Sequence, residues 1–308
     1  MGSLHEVGMN AGTVTVYAGA AAIDYGHSHA SMNPVLDQHI IIRTGVFIAV
    51  LVIMLLWESL RPRRFRRTAA WPRRINNLLL VAVDTLLLRV VMAVAAITTA
   101  GAAMSWDFGL LHRITIPYWL AFVLSVILLD LVIYGQHVLF HKVGFLWRLH
   151  RVHHTDKDLD ATTGVRFHPV EILLSMGIKL GAVAALGPPV LAVLAFEVIL
   201  NATAMFNHSN VAIPVALDRW LRWFIVTPDM HRVHHSVLRR ETDSNYGFNL
   251  PWWDRLFGTY RAQPAAGHPD MELGLAEFRN RDTVHIAGLL LQPVLNIERT
   301  PVKGGTRT

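Results

Sequence analysis

Three short strings in this chain place histidines where several imidazoles can reach one point. His137-Val-Leu-Phe-His141 sets two histidines four residues apart, which on a helix puts both on one face. His150-Arg-Val-His153-His154 and His231-Arg-Val-His234-His235 repeat a single pattern, H-R-V-H-H. On a helix the first and last histidines of each string share a face and the middle one lies beside them, so one turn offers three nitrogens. A lone histidine at the end of an apolar helix reads as a hydrogen-bonded structural residue, and a single HxxxH arises easily by chance. Two identical H-x-x-H-H strings beside an HxxxH point to a metal. Eight clustered histidines exceed what one tetrahedral ion needs, and two ions are the simplest count. His168, in Arg166-Phe-His-Pro-Val-Glu171, and His208, in Asn207-His-Ser-Asn210, are two further candidates, with a structural or ring-orienting role as their alternative. Ten nitrogens could serve two ions with four or five each. Imidazole suits iron, zinc, copper and nickel. Neutral ligands leave a pair of such ions positively charged, which stabilises anionic oxygen species.

Ligating rings need partners that orient them. Asp130, Asp156, Asp158, Glu171 and Asp229 are the candidates. Glu171 and Asp229 are preferred because each sits two or three residues from a candidate histidine; Asp156 and Asp158 read as a solvated loop. There is no cysteine, which excludes disulfides, thiolate metal sites and a cysteine nucleophile.

The elements that must position these residues are apolar. Of 308 residues, 53% are hydrophobic and 16% charged, against roughly 25% charged in an average soluble domain, and the mean hydropathy is +0.37. This is the composition of a membrane protein. A first apolar segment runs from about Ile40 to Leu60. A second runs from about Ile75 to Met104 and carries Asp84 and Arg89, which are expected to face neighbouring helices rather than lipid. A third runs from about Pro117 to Phe140. A fourth region, Ile172 to Phe206, is broken by Gly187-Pro188-Pro189 and reads as a helical hairpin turning there. Pro214 to Val226 mixes Trp220, Trp223 and Phe224 with Asp218, Arg219 and Arg222, the pattern of a helix lying in the membrane interface. Trp252 and Trp253 suit interfacial anchoring or the wall of a substrate cleft. Val284 to Leu295 is too short to span and is expected to dock on the membrane surface or on the rest of the protein.

The net charge is +6, and much of it lies between Arg61 and Arg74. A basic run between two apolar segments reads as a cytoplasmic loop facing anionic lipid heads; with no basic helix or aromatic platform beside it, nucleic acid is not an expected partner. With that loop in the cytoplasm, the third segment ends there with His137 and His141, and the hairpin returns His208 to the same side. All ten candidate histidines then lie on one side, near one depth. The expected fold is all-α: a multi-pass membrane helical bundle of about four to five membrane segments, including a helical hairpin, with a histidine-rich helical cap on the cytoplasmic side. Residues 1–36 form a flexible extension without the pattern of a signal peptide, and Glu6 replaces the Ser or Thr of a myristoylation site. Residues 37–262 form the membrane domain, and 263–308 a tail with a short interfacial apolar segment. His5, His27, His29 and His39 fall on the opposite side and read as no metal site.

The histidine strings, together with Arg-Phe-His-Pro-Val-Glu at 166–171, Asn-His-Ser-Asn at 207–210 and the stretch Asn245-Tyr-Gly-Phe-Asn-Leu-Pro-Trp-Trp-Asp254-Arg-Leu-Phe-Gly-Thr-Tyr260, resemble the fatty acid hydroxylase superfamily, also called the sterol desaturase family. The resemblance covers about Leu78 to Tyr260 and, more loosely, the tail to Leu291. It implies oxygen-dependent hydroxylation or desaturation of a lipid (fatty acyl, sterol or ether lipid) by a membrane-bound oxidoreductase. The family's histidine boxes map onto His137, His141, His150, His153, His154, His231, His234 and His235, with His168 and His208 as additional ligands. The implied cofactors are two iron ions, which zinc could replace during overproduction, with O2 as co-substrate. No cytochrome b5-like haem module accompanies the motifs, so a separate electron donor is expected: a cytochrome b5-like protein, a ferredoxin or a reductase. Two other classes compete: a membrane metal transporter or non-enzymatic metal-binding protein, whose histidines would line a path through the bilayer, and a membrane cytochrome b, whose histidines would sit deep in paired helices. Histidines gathered at one side fit neither.

Overall fold

The computed structural model describes residues 32–66, 68–106, 109–279 and 284–296. The expectations placed on residues 1–31, His5, His27 and His29 among them, lie outside the described residues, as does the side chain of His39. The chain divides into two compact units, Met1–Gly45 and Val46–Thr308. What is described of the first is the opening part of the first helix, and the second carries the rest of that helix and the remaining elements. Among the described residues, β structure is confined to two isolated bridges, Pro62 with Val211 and Ser236 with Leu273.

The long helices are α1 (Met32–Leu60), α2 (Ala70–Trp106), α3 (Tyr118–Lys142), α5 (Pro169–Leu186) and α6 (Val190–His208). Shorter ones are α4 (Gly144–His154), α7 (Val215–Leu221), α8 (Pro228–His234), α9 (Arg239–Thr242), α10 (Trp252–Leu256), α11 (Gly267–Asp270) and α12 (Ile286–Leu291). Among the described residues, four helical stretches are long and apolar enough to cross a membrane: Ile41–Leu60, Tyr118–Lys142, Pro169–Leu186 and Val190–His208; the second expected segment, on α2, is not one of them. Their outward side chains are apolar and bare, as Val52, Ile53 and Leu56 on α1, Trp119 and Val123 on α3, and Val190 and Leu191 on α6 illustrate. Such surface is stable in hydrocarbon and costly in water. The protein is an integral membrane protein.

The hairpin forms where the sequence places it. Pro169 opens α5, where its missing N–H costs nothing, and the backbone N–H of Val170 donates to His168 Nδ1. Gly187 closes the helix in the left-handed conformation (φ 61°, ψ 51°), and Pro188-Pro189 set the chain for α6. Lys179 and Glu197 pair across the two arms, so neither charge stands alone in the apolar layer. α3, α5 and α6 pack through a buried apolar cluster of Leu129, Ile133, Phe196 and Ala204 with Phe248, against which Phe167, Val183, Leu186 and Leu200 lie.

Several expectations change here. Part of the arginine run turns inward, while Arg61 and Arg66 stay exposed. Arg73 and Arg74 are buried and pair with Asp156, Asp160 and Glu58, while Arg63 pairs with Asp229. Asp156 and Asp158 therefore do not belong to a solvated loop. Asp156 is 1% exposed beside Arg73, and Asp158 accepts from the backbone N–H and hydroxyl of Thr68. Buried guanidinium groups need carboxylates close by, and the α4–α5 connection supplies them. Asp84 faces inward, but Arg89 is exposed, since five residues along a helix amount to about 140° of rotation. The helix expected over 214–226 is shorter, ending at Leu221. Asp218 and Arg222 turn inward as a 2.6 Å ion pair and leave Trp220, Trp223 and Phe224 outside. The tail segment docks on the protein. Arg148 and Arg151 donate to the carbonyls of Gln292, Pro293 and Leu295, and Leu289 is buried against Leu80 and Val152.

Candidate metal centre

The histidines arrive from four helices. α3 contributes His137 and His141 one turn apart at its end, and α4 contributes His150, His153 and His154. His208 is the last residue of α6. His231 and His234 lie on α8, with His235 at its end. They form two groups within which the ligand atoms all lie within 4.8 Å of one another: His137, His141, His150, His154 and His234 in one, His153, His208, His231 and His235 in the other. All nine are buried. The groups touch: the His154 and His235 rings stack at 4.5 Å, and the His153 and His154 rings lie 5.2 Å apart. Each H-R-V-H-H string is split between the groups, so neither string serves one ion alone. The last turn of α4 sends His153 one way and His150 and His154 the other; α8 sends His231 and His235 one way and His234 the other.

His168 is not brought to either group. Its Nδ1 accepts from Val170 N–H, and its Nε2 lies 3.2 Å from the carbonyl of Leu290. Both nitrogens are committed to backbone, the structural alternative weighed from the sequence.

Hydrogen bonds on the far nitrogens decide what the near ones can do. The Nδ1–H groups of His137, His208 and His234 donate to the carbonyls of Tyr246, Ala204 and Ser244, each at 2.7 Å. His153 Nδ1–H donates to Arg166 O at 3.3 Å, and His150 Nδ1–H to Glu171 Oε1 at 2.6 Å. A neutral imidazole with its proton on Nδ1 carries a lone pair on Nε2. Yet His137 Nε2 faces His150 Nε2 at 3.1 Å, and His153 Nε2 faces His208 Nε2 at 3.0 Å. Two lone pairs at that distance repel unless a cation lies within reach of both. Both ring nitrogens of His235, and Nε2 of His141 and of His234, are buried with no hydrogen-bond partner. The residues present therefore fit a pair of metal ions, one per group.

Burial holds these rings neutral. It lowers His150 to about 3, and it lowers His153, His154, His231, His234 and His235 well below 6.5, with neighbouring histidines adding to the effect. The lone pairs remain free for a metal at neutral pH.

Of the acidic residues expected to orient rings, Glu171 does so through His150. Asp229 does not; it pairs with Arg63 and Arg232. Asp130 accepts from Trp253 Nε1–H at 2.8 Å and touches no cluster histidine. Asp243 Oδ1 lies 3.5 Å from His141 Nδ1, and most of the other orienting groups are backbone carbonyls, which residue types do not reveal. Asp254 secures two of them: it accepts from the N–H groups of Tyr246 and Gly247, both at 2.8 Å, and so fixes the turn that presents Ser244 and Tyr246. Asn245, at a left-handed φ of 51°, ties that turn to Met230 on α8 and to Arg261.

The sequence model of the fatty acid hydroxylase family matches residues 122–259, which hold all ten candidate histidines, the nine of the two groups and His168. The chain is 28% identical over 247 residues to the ornithine lipid hydroxylase OlsE of Rhizobium tropici, covering 76% of this chain and 72% of that protein. It is 32% identical over 144 residues to the alkylglycerol monooxygenase of Xenopus tropicalis, covering 46% of this chain and 30% of that protein. It is 28% identical over 144 residues to the cholesterol 25-hydroxylase of Rattus norvegicus, spanning 47% of that protein. No solved structure matches the chain.

Proposed function

We propose that this chain, which belongs to the fatty acid hydroxylase superfamily and is an oxidoreductase, hydroxylates a membrane lipid with O2, using two iron ions held by its nine clustered histidines. The observation that carries the reading is the facing of unprotonated imidazole nitrogens at 3.0–3.1 Å in both groups, which calls for a cation in each. Iron is the metal consistent with the family's oxygen chemistry, and it supplies the redox power needed to break an unactivated C–H bond. His137, His141, His150, His154 and His234 would hold one ion, and His153, His208, His231 and His235 the other.

The remaining work falls to the chain's own residues. Carbonyls and Glu171 fix the rings, so the site is set before substrate arrives. Burial excludes water. The substrate is expected to arrive sideways from the membrane, between the apolar helices whose ends carry the histidines. Hydroxylation consumes O2, two electrons and two protons for each alcohol and water formed. The electrons are taken from a separate donor protein, of the cytochrome b5, ferredoxin or reductase class. We place the histidines on the cytoplasmic side. The basic run Arg61–Arg74 biases orientation during insertion, and that bias counts Lys and Arg rather than net charge, so later pairing with carboxylates does not cancel it. Desaturation would begin from the same C–H bond; product mass separates the two outcomes.

The test is metal analysis of protein produced with ample iron, followed by mass spectrometry of host lipids. Two irons per chain and a lipid class gaining one oxygen, only in the presence of O2, are the expected results. One metal or none per chain would overturn the dinuclear assignment, and metal flux across liposomes without any lipid product would favour the transporter.

A further inference from the structure

A run of aromatic rings leads from the five-histidine group to the surface. Tyr246 touches three of the five ligands, with ring centroids 5.0 Å from His141 and 5.6 Å from both His137 and His234. Tyr134 on α3 meets Tyr246 edge to face at 6.3 Å, and Phe257 in turn stacks on Tyr134 at 5.5 Å. Rings paired at such distances have atoms close to contact. Tyr246 and Tyr134 are buried, and Phe257 is 56% exposed. The two phenols differ in their hydrogen bonds. Tyr246 Oη is buried without a partner. Tyr134 Oη lies 2.9 Å from Thr259 Oγ1, which donates its hydrogen to Asp254 Oδ1 at 2.7 Å. A hydroxyl has one hydrogen to give, so Tyr134 is the donor in the first of these bonds. Asp254 also accepts from the N–H groups of Tyr246 and Gly247. Burial raises its pKa, and the hydrogen bonds it accepts act in the opposite direction. A proton can therefore leave Tyr134 along a directed chain, and no such chain starts at Tyr246.

We propose that Tyr246 and Tyr134 are a redox relay that carries oxidising equivalents out of the five-histidine group when O2 is activated with no lipid in place. The inference rests on the hydroxylase reading for the source of the oxidant, which is O2 after reduction at the metal positions. A buried phenol that loses an electron and keeps its proton is an unpaired buried cation, which is costly, so Tyr246 passes the charge on. In each event one electron moves from Tyr134 through Tyr246 to the oxidant. One proton moves from Tyr134 to Thr259 as the proton of Thr259 moves to Asp254. The products are a neutral Tyr134 phenoxyl radical, a carboxylic acid at Asp254 and an oxidant reduced by one electron. A thiol in solution reverses the change. It supplies one electron to Tyr134, Asp254 returns its proton by the same two hydrogen bonds, and the thiol releases its own proton to become a thiyl radical. Exposed Phe257 is where such a reductant comes within reach of Tyr134. The imidazoles beside the oxidant are thereby spared.

The experiment uses Tyr134→Phe, Tyr246→Phe and Thr259→Val in the full chain, purified in detergent without added lipid, with metal content measured in parallel. Each change removes a hydroxyl and nearly keeps the side-chain volume. Iron-loaded protein is mixed with hydrogen peroxide, which supplies oxidising equivalents without an electron donor, then freeze-quenched and read by electron paramagnetic resonance. Wild type should give a tyrosyl radical, identified by narrowing of its signal when ring-deuterated tyrosine is incorporated. Tyr134→Phe and Thr259→Val should lose most of that signal, Tyr246→Phe should form it more slowly, and zinc-loaded wild type should form none. Mass spectrometry of the ligand peptides should find oxygen added to His137, His141 or His234 several-fold more often in Tyr134→Phe than in wild type. A radical of unchanged yield in both tyrosine variants overturns the proposal, as does ligand oxidation in wild type with no tyrosyl radical. An equal signal from zinc-loaded protein also overturns it, because the peroxide would then act without the site. A second measurement takes the metal chemistry out: a flash-generated ruthenium(III) oxidant acts on the zinc-loaded chain. Tyrosyl radical yield should fall in Tyr134→Phe and in Thr259→Val, and equal yields in wild type and both variants overturn the relay. Iron-loaded protein inert to peroxide, with the flash result as expected, counts against the hydroxylase reading and not against Tyr134 as the proton-coupled site.

Discussion

Replacing Gly164 by alanine should separate the two histidine groups. Gly164 lies in the 3-10 turn Ala161–Val165 that packs on α6, and a Cβ there would stand 2.2 Å from the carbonyl oxygen of Ala204, 2.6 Å from its carbon and 3.0 Å from Met205 N. Ordinary contact is longer by roughly 1 Å or more, so backbone must move. The atom struck first is the carbonyl that accepts the Nδ1–H of His208 at 2.7 Å. Overpacking of this kind costs about 1–3 kcal/mol, and here both partners are main chain, which puts the cost at the upper end or beyond. The disturbance reaches His208 directly, and through it the group of His153, His231 and His235. The five-histidine group takes nothing from Ala204. Gly164→Ala should therefore lower the thermal midpoint in detergent and bring metal content from two per chain toward one. Gly177→Ala on α5 is the control: nothing lies within 4 Å of its Cβ, so it should keep both metals and gain about 0.5–1 kcal/mol from helix propensity. If Gly164→Ala retained two metals and the wild-type midpoint, the assignment of Ala204 as the support of His208 would be wrong.

Three other perturbations test other parts of the site. Glu171→Leu removes the acceptor of His150 Nδ1–H and should weaken metal affinity by about 10–100-fold in chelator competition, whereas Glu171→Gln, whose amide oxygen still accepts, should stay near wild type; equal losses would contradict an orienting role. Asp160→Ala strips a buried carboxylate from Arg73 and Arg74 and should cost about 3–5 kcal/mol, while Glu272→Ala, whose partner Arg279 is partly exposed, should cost under about 1 kcal/mol; thermal midpoints compare them. Acid should destabilise the cap. The buried histidines have folded pKa values below 6.5, so beneath that pH the unfolded chain binds more protons than the folded one. Their contribution is present above pH 6.5 and is lost as pH falls toward about 3 for His150, at about 1.4 kcal/mol per pH unit for each such histidine, and a thermal midpoint that did not fall between about pH 7 and about pH 5 would refute the neutral, buried assignment.

The sequence made the membrane helices, the hairpin turn and the histidine strings legible because each rests on a local rule. Apolar length, a Gly-Pro-Pro break and the i, i+4 spacing need no knowledge of the rest of the chain. The division of the ligands was not legible. Spacing along α4 says that His150 and His154 share a face, but whether His153 joins them depends on where α6 and α8 bring His208 and His235. The same limit applied to the charged residues. Closeness in sequence to His231 favours Asp229, yet Arg63, far away in the chain, takes it. Asp156 reads as loop from the sequence because its partner Arg73 lies 83 residues earlier. His168 sits in a motif beside the ligands and spends both nitrogens on backbone.

The arginines show how one feature can carry two meanings at different stages of the protein's life. In the linear chain, the basic run between α1 and α2 is a topological signal. In the folded protein, Arg73 and Arg74 lock the start of α2, through Asp156 and Asp160, to the segment between α4 and α5, and Glu58 at the end of α1 accepts from the N–H groups of Ala161 and Asn210. Ala161 begins the turn that carries Gly164 to α6, and Asn210 follows His208 by two residues. The ion pairs thus bind the ends of α1 and α2 to the backbone supporting the four-histidine group. A buried ion pair is weak as a source of stability, since desolvation offsets most of the attraction, but removing one partner is costly. That asymmetry suits a site whose ligands come from separate helices: it penalises every arrangement in which those helix ends fail to meet, and so favours the one in which the imidazole nitrogens converge.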